Sequence, residues 1–247
     1  MKLTVLYIQN NEFESILKDI KEYGYKIDII GTDCCKMAML EIMYQLKNCT
    51  DYFIGSQNCE IADGWNYFEI FNNINDNTSL EDFSFISVNT YNNYCQKHAY
   101  EGLYTLSSIN LNKIDRIVEN LNKISSILIN MINQDNLIKN VIKNARARSA
   151  FICNSPYYTD LYSFYDELIF ELNKIDQRQE QNYLIGILNE GKTLIADAIV
   201  ANYFGKNISK VKGISIYFPK AVIDRSYSYS SFAKETNWPN FLNKFLN

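Results

Sequence analysis

Histidine is almost absent from this sequence: one residue, His98, in 247. That scarcity excludes imidazole-rich metal centres and leaves a single candidate imidazole base. With three prolines and nine glycines, no Pro/Gly-rich linker divides the chain. Long apolar runs are missing too. The opening Met1–Asn10 is too short in apolar residues for a signal peptide, and nothing nears the ~20 apolar residues of a membrane span. As written, the chain reads as soluble and cytoplasmic, with export reserved for a longer precursor. Excess positive charge is also lacking: the net charge is -4 and the pI near 5.2, which argues against nucleic acid and anionic membrane surfaces as partners and suits a basic peptide. The six cysteines show no metal-ligand spacing and are too sparse for a disulfide scaffold, so they read as free thiols.

Apolar residues are plentiful: at 47% hydrophobic and 14% aromatic, the chain can bury a large core. Leu3–Ile8 reads as a short strand. Phe13, Ile16, Leu17 and Ile20 then recur at helical spacing, with Gly24 placed to end the helix. Lys26–Gly31 is β-rich, Met37, Leu40, Met43 and Tyr44 resume helical period directly after Cys35, and Tyr52–Ile54 give another strand. Strand, helix, strand, helix, strand predicts an α/β fold with a parallel-rich sheet flanked by helices on both faces. Residues 1–80 form this α/β part; 81–247 are mostly helical, either within the same domain or as an appendage. Helices are expected over 111–132, 160–172 and about 177–204, with Asp160 or Thr159 as a cap. Gly213–Pro219 reads as a late strand rejoining the core sheet, and Trp238, Phe241, Leu242 and Phe245 as a terminal amphipathic helix.

Cys35 is placed where a β-branched strand gives way to a helix. A thiol there meets the ligand-binding edge of an open α/β sheet, and the following helix amino terminus favours thiolate. Two readings fit Cys34 and Cys35: a nucleophile, or small buried hydrophobes. On an extended backbone the two would point to opposite faces, so one at most would face a cleft. Asp33, two residues before Cys35, either shares its face and receives a basic side chain, or caps the next helix. Ser56 and Gln57, at the end of the next strand, would line the same edge as pocket walls. His98, in a polar and aromatic segment near a helix end, is either a solvated residue or a base that nothing nearby orients. No metal site is indicated.

Together these segments resemble the clostripain family of caspase-like cysteine peptidases. The resemblance begins at Ile29-Ile30-Gly31-Thr32-Asp33-Cys34-Cys35-Lys36-Met37-Ala38, a strand followed by Asp-x-Cys-x-Met. It continues through Glu41–Leu46, Tyr52–Gln57, Gly64-Trp65-Asn66-Tyr67, Leu106–Ile114, Tyr158–Phe164, Gly213–Pro219 and Trp238 with Phe241 and Leu242, nearly the whole chain. It implies a caspase-like fold, Cys35 as nucleophile, Asp33 selecting Arg or Lys before the scissile bond, and the option of a calcium requirement. The family's base is a histidine followed by glycine, upstream of the nucleophile. No histidine lies in the 34 residues before Cys35. The resemblance therefore implies the nucleophile-bearing part of a peptidase whose dyad is completed by a histidine-bearing N-terminal segment, from a family often cut between those parts. The alternative is a non-catalytic scaffold binding a peptide or protein, and a third reading is a longer gene product in which this chain begins at an internal methionine.

Overall fold

The computed structural model describes residues 10–98, 100, 102, 104–150, 152–153, 155–175, 179–208 and 210–247. The expected strand at Leu3–Ile8 lies outside them. The first described helix, α1 (Asn10–Glu22), buries Leu17 and ends at Gly24, whose φ of +86° lets its amide return to the Lys21 carbonyl at 3.0 Å. Strand β1 (Ile29–Gly31) follows, then α2 (Leu40–Leu46), then β2 (Tyr52–Gly55), which runs parallel to β1 with Ile30 beside Phe53. Helices α3 (Tyr67–Asn72) and α4 (Leu80–Lys97) lead into β3 (Thr105–Asn110). Then come α5 (Ile114–Gln134), α6 (Leu137–Arg148), β4 (Tyr158–Asp160), α7 (Leu161–Leu172) and α8 (Gln179–Ala198). The chain closes with β5 (Ile199–Phe204), β6 (Ser215–Tyr217), α9 (Ser231–Glu235) and α10 (Trp238–Leu246).

The main sheet has the order β1-β2-β3-β5, with β3 antiparallel to both its neighbours. It is therefore mixed, and its four strands come from both sides of residue 80. The α/β class and the helical layers stand. Alternation along β2 sends Phe53 to one face and Ile54 to the other. On the Phe53 side lies the larger core, with Ile109, Leu121, Leu128, Ile142, Phe164, Leu168, Leu188 and Trp238 all essentially solvent-free. On the Ile54 side, Val88, Tyr91 and Cys95 of α4 cover Leu106 and Ala201.

Three expectations are corrected. The helix after Cys35 does not start there: α2 begins at Leu40, behind a turn. The long run near 177–204 breaks at Ala198, where Ile199-Val200 hands the chain to β5 without a glycine or proline. The late strand β6 does not rejoin the main sheet; it pairs antiparallel with β4, Ile216 opposite Thr159. A bridge from Ser215 to Met39, with the Ser215 amide donating to the Ala38 carbonyl at 2.9 Å, ties that small sheet to the segment entering α2. Among the described residues no helix is long and apolar enough to cross a membrane.

Candidate active site

The backbone after β1 carries the site. Thr32 extends the β1 pairing by donating its amide to the Ile54 carbonyl at 2.9 Å, and Cys34–Lys36 then turn sharply, with Lys36 at a φ of +61°. Two amides fasten this turn to the segment after β2: Lys36 to the Asn58 carbonyl and Ala38 to the Ser56 carbonyl, both at 3.0 Å. Because the backbone is turned rather than extended, the thiols of Cys34 and Cys35 both reach solvent. Cys35 sits well ahead of the α2 amino terminus, so that helix's dipole is not what acts on its sulfur; the effect dies away within a turn of the helix end. A single amide does the local work instead. Glu60 donates its backbone N–H to Cys35 Sγ at 3.2 Å.

Asp33 does not cap α2, whose N-cap is Met39 with no side-chain hydrogen bond. Its carboxylate Oδ2 accepts from the Trp65 amide at 3.0 Å and the Tyr67 hydroxyl at 2.9 Å. Gly64, at φ +69°, makes room for it: a Cβ there would fall 2.7 Å from Asp33 Oδ2. Glu60 lies between the two candidate residues. Burial, and then the hydrogen bond and charge of Asp33, push its carboxyl up to about 9, against the opposing hydrogen bond from Trp65 Nε1 at 3.2 Å. Glu60 thus holds its proton at neutral pH beside the Asp33 carboxylate. Burial pushes the Cys34 thiol up as well, with the Glu60 and Asp33 charges adding.

Ser56 and Gln57 are placed inside the fold, both without exposed surface. Ser56 Oγ pairs with Thr105 Oγ1 at 2.7 Å. Gln57 spans two later segments, donating from Nε2 to Asp160 Oδ2 at 2.9 Å and accepting the Gly213 amide on Oε1 at 2.7 Å. Asp160 is the cap of α7, accepting the Ser163 amide at 2.7 Å, and it also takes the Lys212 amide at 2.6 Å. Burial raises its carboxyl to about 6 despite those bonds.

His98 is the C-cap residue of α4, exposed, with its ring 4.3 Å from that of Tyr94. It makes no hydrogen bond to Cys35. Glu60 and Tyr67 escape a reading of sequence spacing because their link to Cys35 and Asp33 is a tertiary contact; the one local signal was the Gly64-Trp65-Asn66-Tyr67 segment next to them. Among the described residues no three His, Cys, Asp or Glu side chains gather as a metal cluster.

A sequence model of the clostripain family matches residues 5–245. Comparison with curated proteins gives no match. Among solved structures, a clostripain from Bacteroides thetaiotaomicron in complex with a peptide inhibitor superposes with a TM-score of 0.65 at 15% identity, over 94% of this chain and 96% of that one. A B. fragilis cysteine protease gives 0.63 at 14% identity, over 97% of each chain. An inactive zymogen C11 protease from Parabacteroides distasonis gives 0.62 at 17% identity, over 92% of this chain and 62% of its own. At these identities the likenesses establish a shared fold.

Proposed function

The chain belongs to the clostripain family, and we propose that it is the nucleophile-bearing polypeptide of a cysteine endopeptidase that cleaves after Arg or Lys once a second segment supplies histidine. The observation that carries the reading is the exposed Cys35 sulfur held by the Glu60 amide, beside an Asp33 carboxylate fixed by Trp65 and Tyr67. The Glu60 N–H fixes where that sulfur sits. The thiolate attacks the scissile carbonyl carbon. The incoming imidazole holds the thiol proton, passes it to the departing amine, and then takes a proton from the water that hydrolyses the thioester. Asp33 pairs with the guanidinium or ammonium of the residue before the cut. Ser56 and Gln57 support the turn from within the fold, Ser56 through its carbonyl on the Ala38 amide and Gln57 through Asp160 and Gly213. Among the described residues β1 ends the main sheet, so its outer edge is where a histidine-bearing strand would add.

A non-catalytic scaffold is the second reading, favoured by the chain's one imidazole lying against Tyr94. The two separate on one experiment. The DNA upstream of the Met1 codon is read for a segment encoding strands and a His-Gly element, and that segment is co-expressed with this chain. Cleavage of fluorogenic Arg and Lys peptides by the pair, absent from either part alone and abolished by Cys35→Ala, is the expected result. Cleavage surviving Cys35→Ala, or a correctly assembled pair that cuts nothing, would overturn the proposal.

A further inference from the structure

We propose that Cys59 and Cys153 are a disulfide-forming pair, oxidised by hydrogen peroxide to clamp the segment that holds the nucleophile onto the segment that leads into β4. The two sulfurs lie 2.7 Å apart across 94 residues of sequence, closer than unbonded sulfurs ordinarily rest. Both residues are half-buried, and both are already docked by their backbones. Cys59 bridges Tyr104 beside the main sheet, and the Cys153 amide donates to Asn58 Oδ1 at 2.7 Å. Cys153 is held at a φ of +47°, a conformation that a residue with a Cβ seldom takes, and this brings its sulfur to Cys59. Forming the bond therefore asks for little backbone movement.

Burial, then the adjacent Cys59 sulfur, push the Cys153 thiol well up, while the nearby Lys36 cation works the other way. Peroxide supplies the missing oxidant. One cysteine sulfur attacks a peroxide oxygen, the O–O bond breaks, and a sulfenic acid and one water result. The second sulfur then attacks the first, the S–S bond forms, the S–O bond breaks, and a second water leaves. Two thiols have lost two electrons and two protons, and one peroxide has become two waters. The clamp's reach is set by sequence: Glu60, whose amide holds Cys35 Sγ, is the residue after Cys59.

The test uses the full chain and reads no peptide cleavage, so it stands apart from the peptidase proposal. Reduced protein is treated with hydrogen peroxide, free thiols are alkylated, and the digest is mapped without reductant. A linked peptide pair joining Cys59 to Cys153 is expected, with a rise of roughly 5–10 °C in Tm that dithiothreitol reverses. Cys153→Ser and, separately, Cys59→Ser should abolish both. Alkylation of Cys59 and Cys153 after oxidation, or a crosslink from either to Cys35, would overturn the proposal. Should one variant fail to fold, the wild-type map and the other variant decide.

Discussion

The amide of Glu60 points at the sulfur of Cys35 across 3.2 Å, although 25 residues separate them. The same residue's carboxyl touches the neighbourhood of Asp33, so one short segment, Asn58–Glu60, meets both members of the Asp33/Cys35 pair. The thiol is accordingly exposed but not loose.

Iodoacetamide at neutral pH should label Cys35 ahead of all five other cysteines. Cys49 and Cys95 are buried, Cys59 and Cys153 are half-buried in mutual contact, and burial pushes the Cys34 thiol up. Peptide mass spectrometry over a time course checks the order. Faster labelling of Cys34 would move the nucleophile by one residue.

Stability should fall as pH rises from about 5 to 9. The folded carboxyls of Asp160, Glu41 and Glu60 sit at about 6, 7 and 9, above their unfolded values near 4, so the folded state binds more protons across that window. Their contribution is therefore present at low pH and lost as pH climbs through each folded value. For fully buried Glu41 the loss is on the order of 3 kcal/mol. Glu60→Gln should flatten the upper part of the curve, measured as urea midpoints at pH 6, 7, 8 and 9; an unchanged slope would contradict a proton on Glu60.

Two glycines of α8 should respond in opposite directions to alanine. At Gly191 a Cβ would collide with the Asn120 side-chain oxygen and stand 2.6 Å from the Tyr165 ring, so Gly191→Ala should cost about 1–3 kcal/mol. At Gly186 nothing lies within 4 Å, and Gly186→Ala should gain up to about 1 kcal/mol from helix propensity. Thermal unfolding of both variants gives the comparison.

Gln57→Ala should destabilise by about 1–3 kcal/mol, because it strips one buried donor from Asp160 and leaves the Gly213 amide without its acceptor. Chemical denaturation of the chain alone measures it. A change below 0.5 kcal/mol would mean that water replaces the amide at both partners.

Much of this was legible in the sequence, and the pattern of what was not has physical causes. The apolar stripes of α5, α7 and α10 repeat at helical period, and each stripe is the face that the structure buries. Gly24 ends α1 as its position suggests. The junction at Ala198 was illegible because Ile199, Val200 and Tyr203 continue an apolar run that suits either state, and only pairing with β3 makes it a strand. Within the site, Asp33 and Cys35 are visible from their place after a strand. Glu60 is not, since no local period connects it to Cys35, and the burial of Gln57 depends on Asp160 and Gly213, which lie far along the chain.

That last dependence bears on synthesis. The nucleophile turn, Cys34–Lys36, is backed by contacts from far along the chain, the Gly213 amide on Gln57 and Ser215 bridging Met39. Some 170 residues must emerge between the two, and non-local pairing of this kind is slow to form. A nascent chain would therefore carry its thiol without the frame that aims it until the segment holding Gly213 and Ser215 has also emerged.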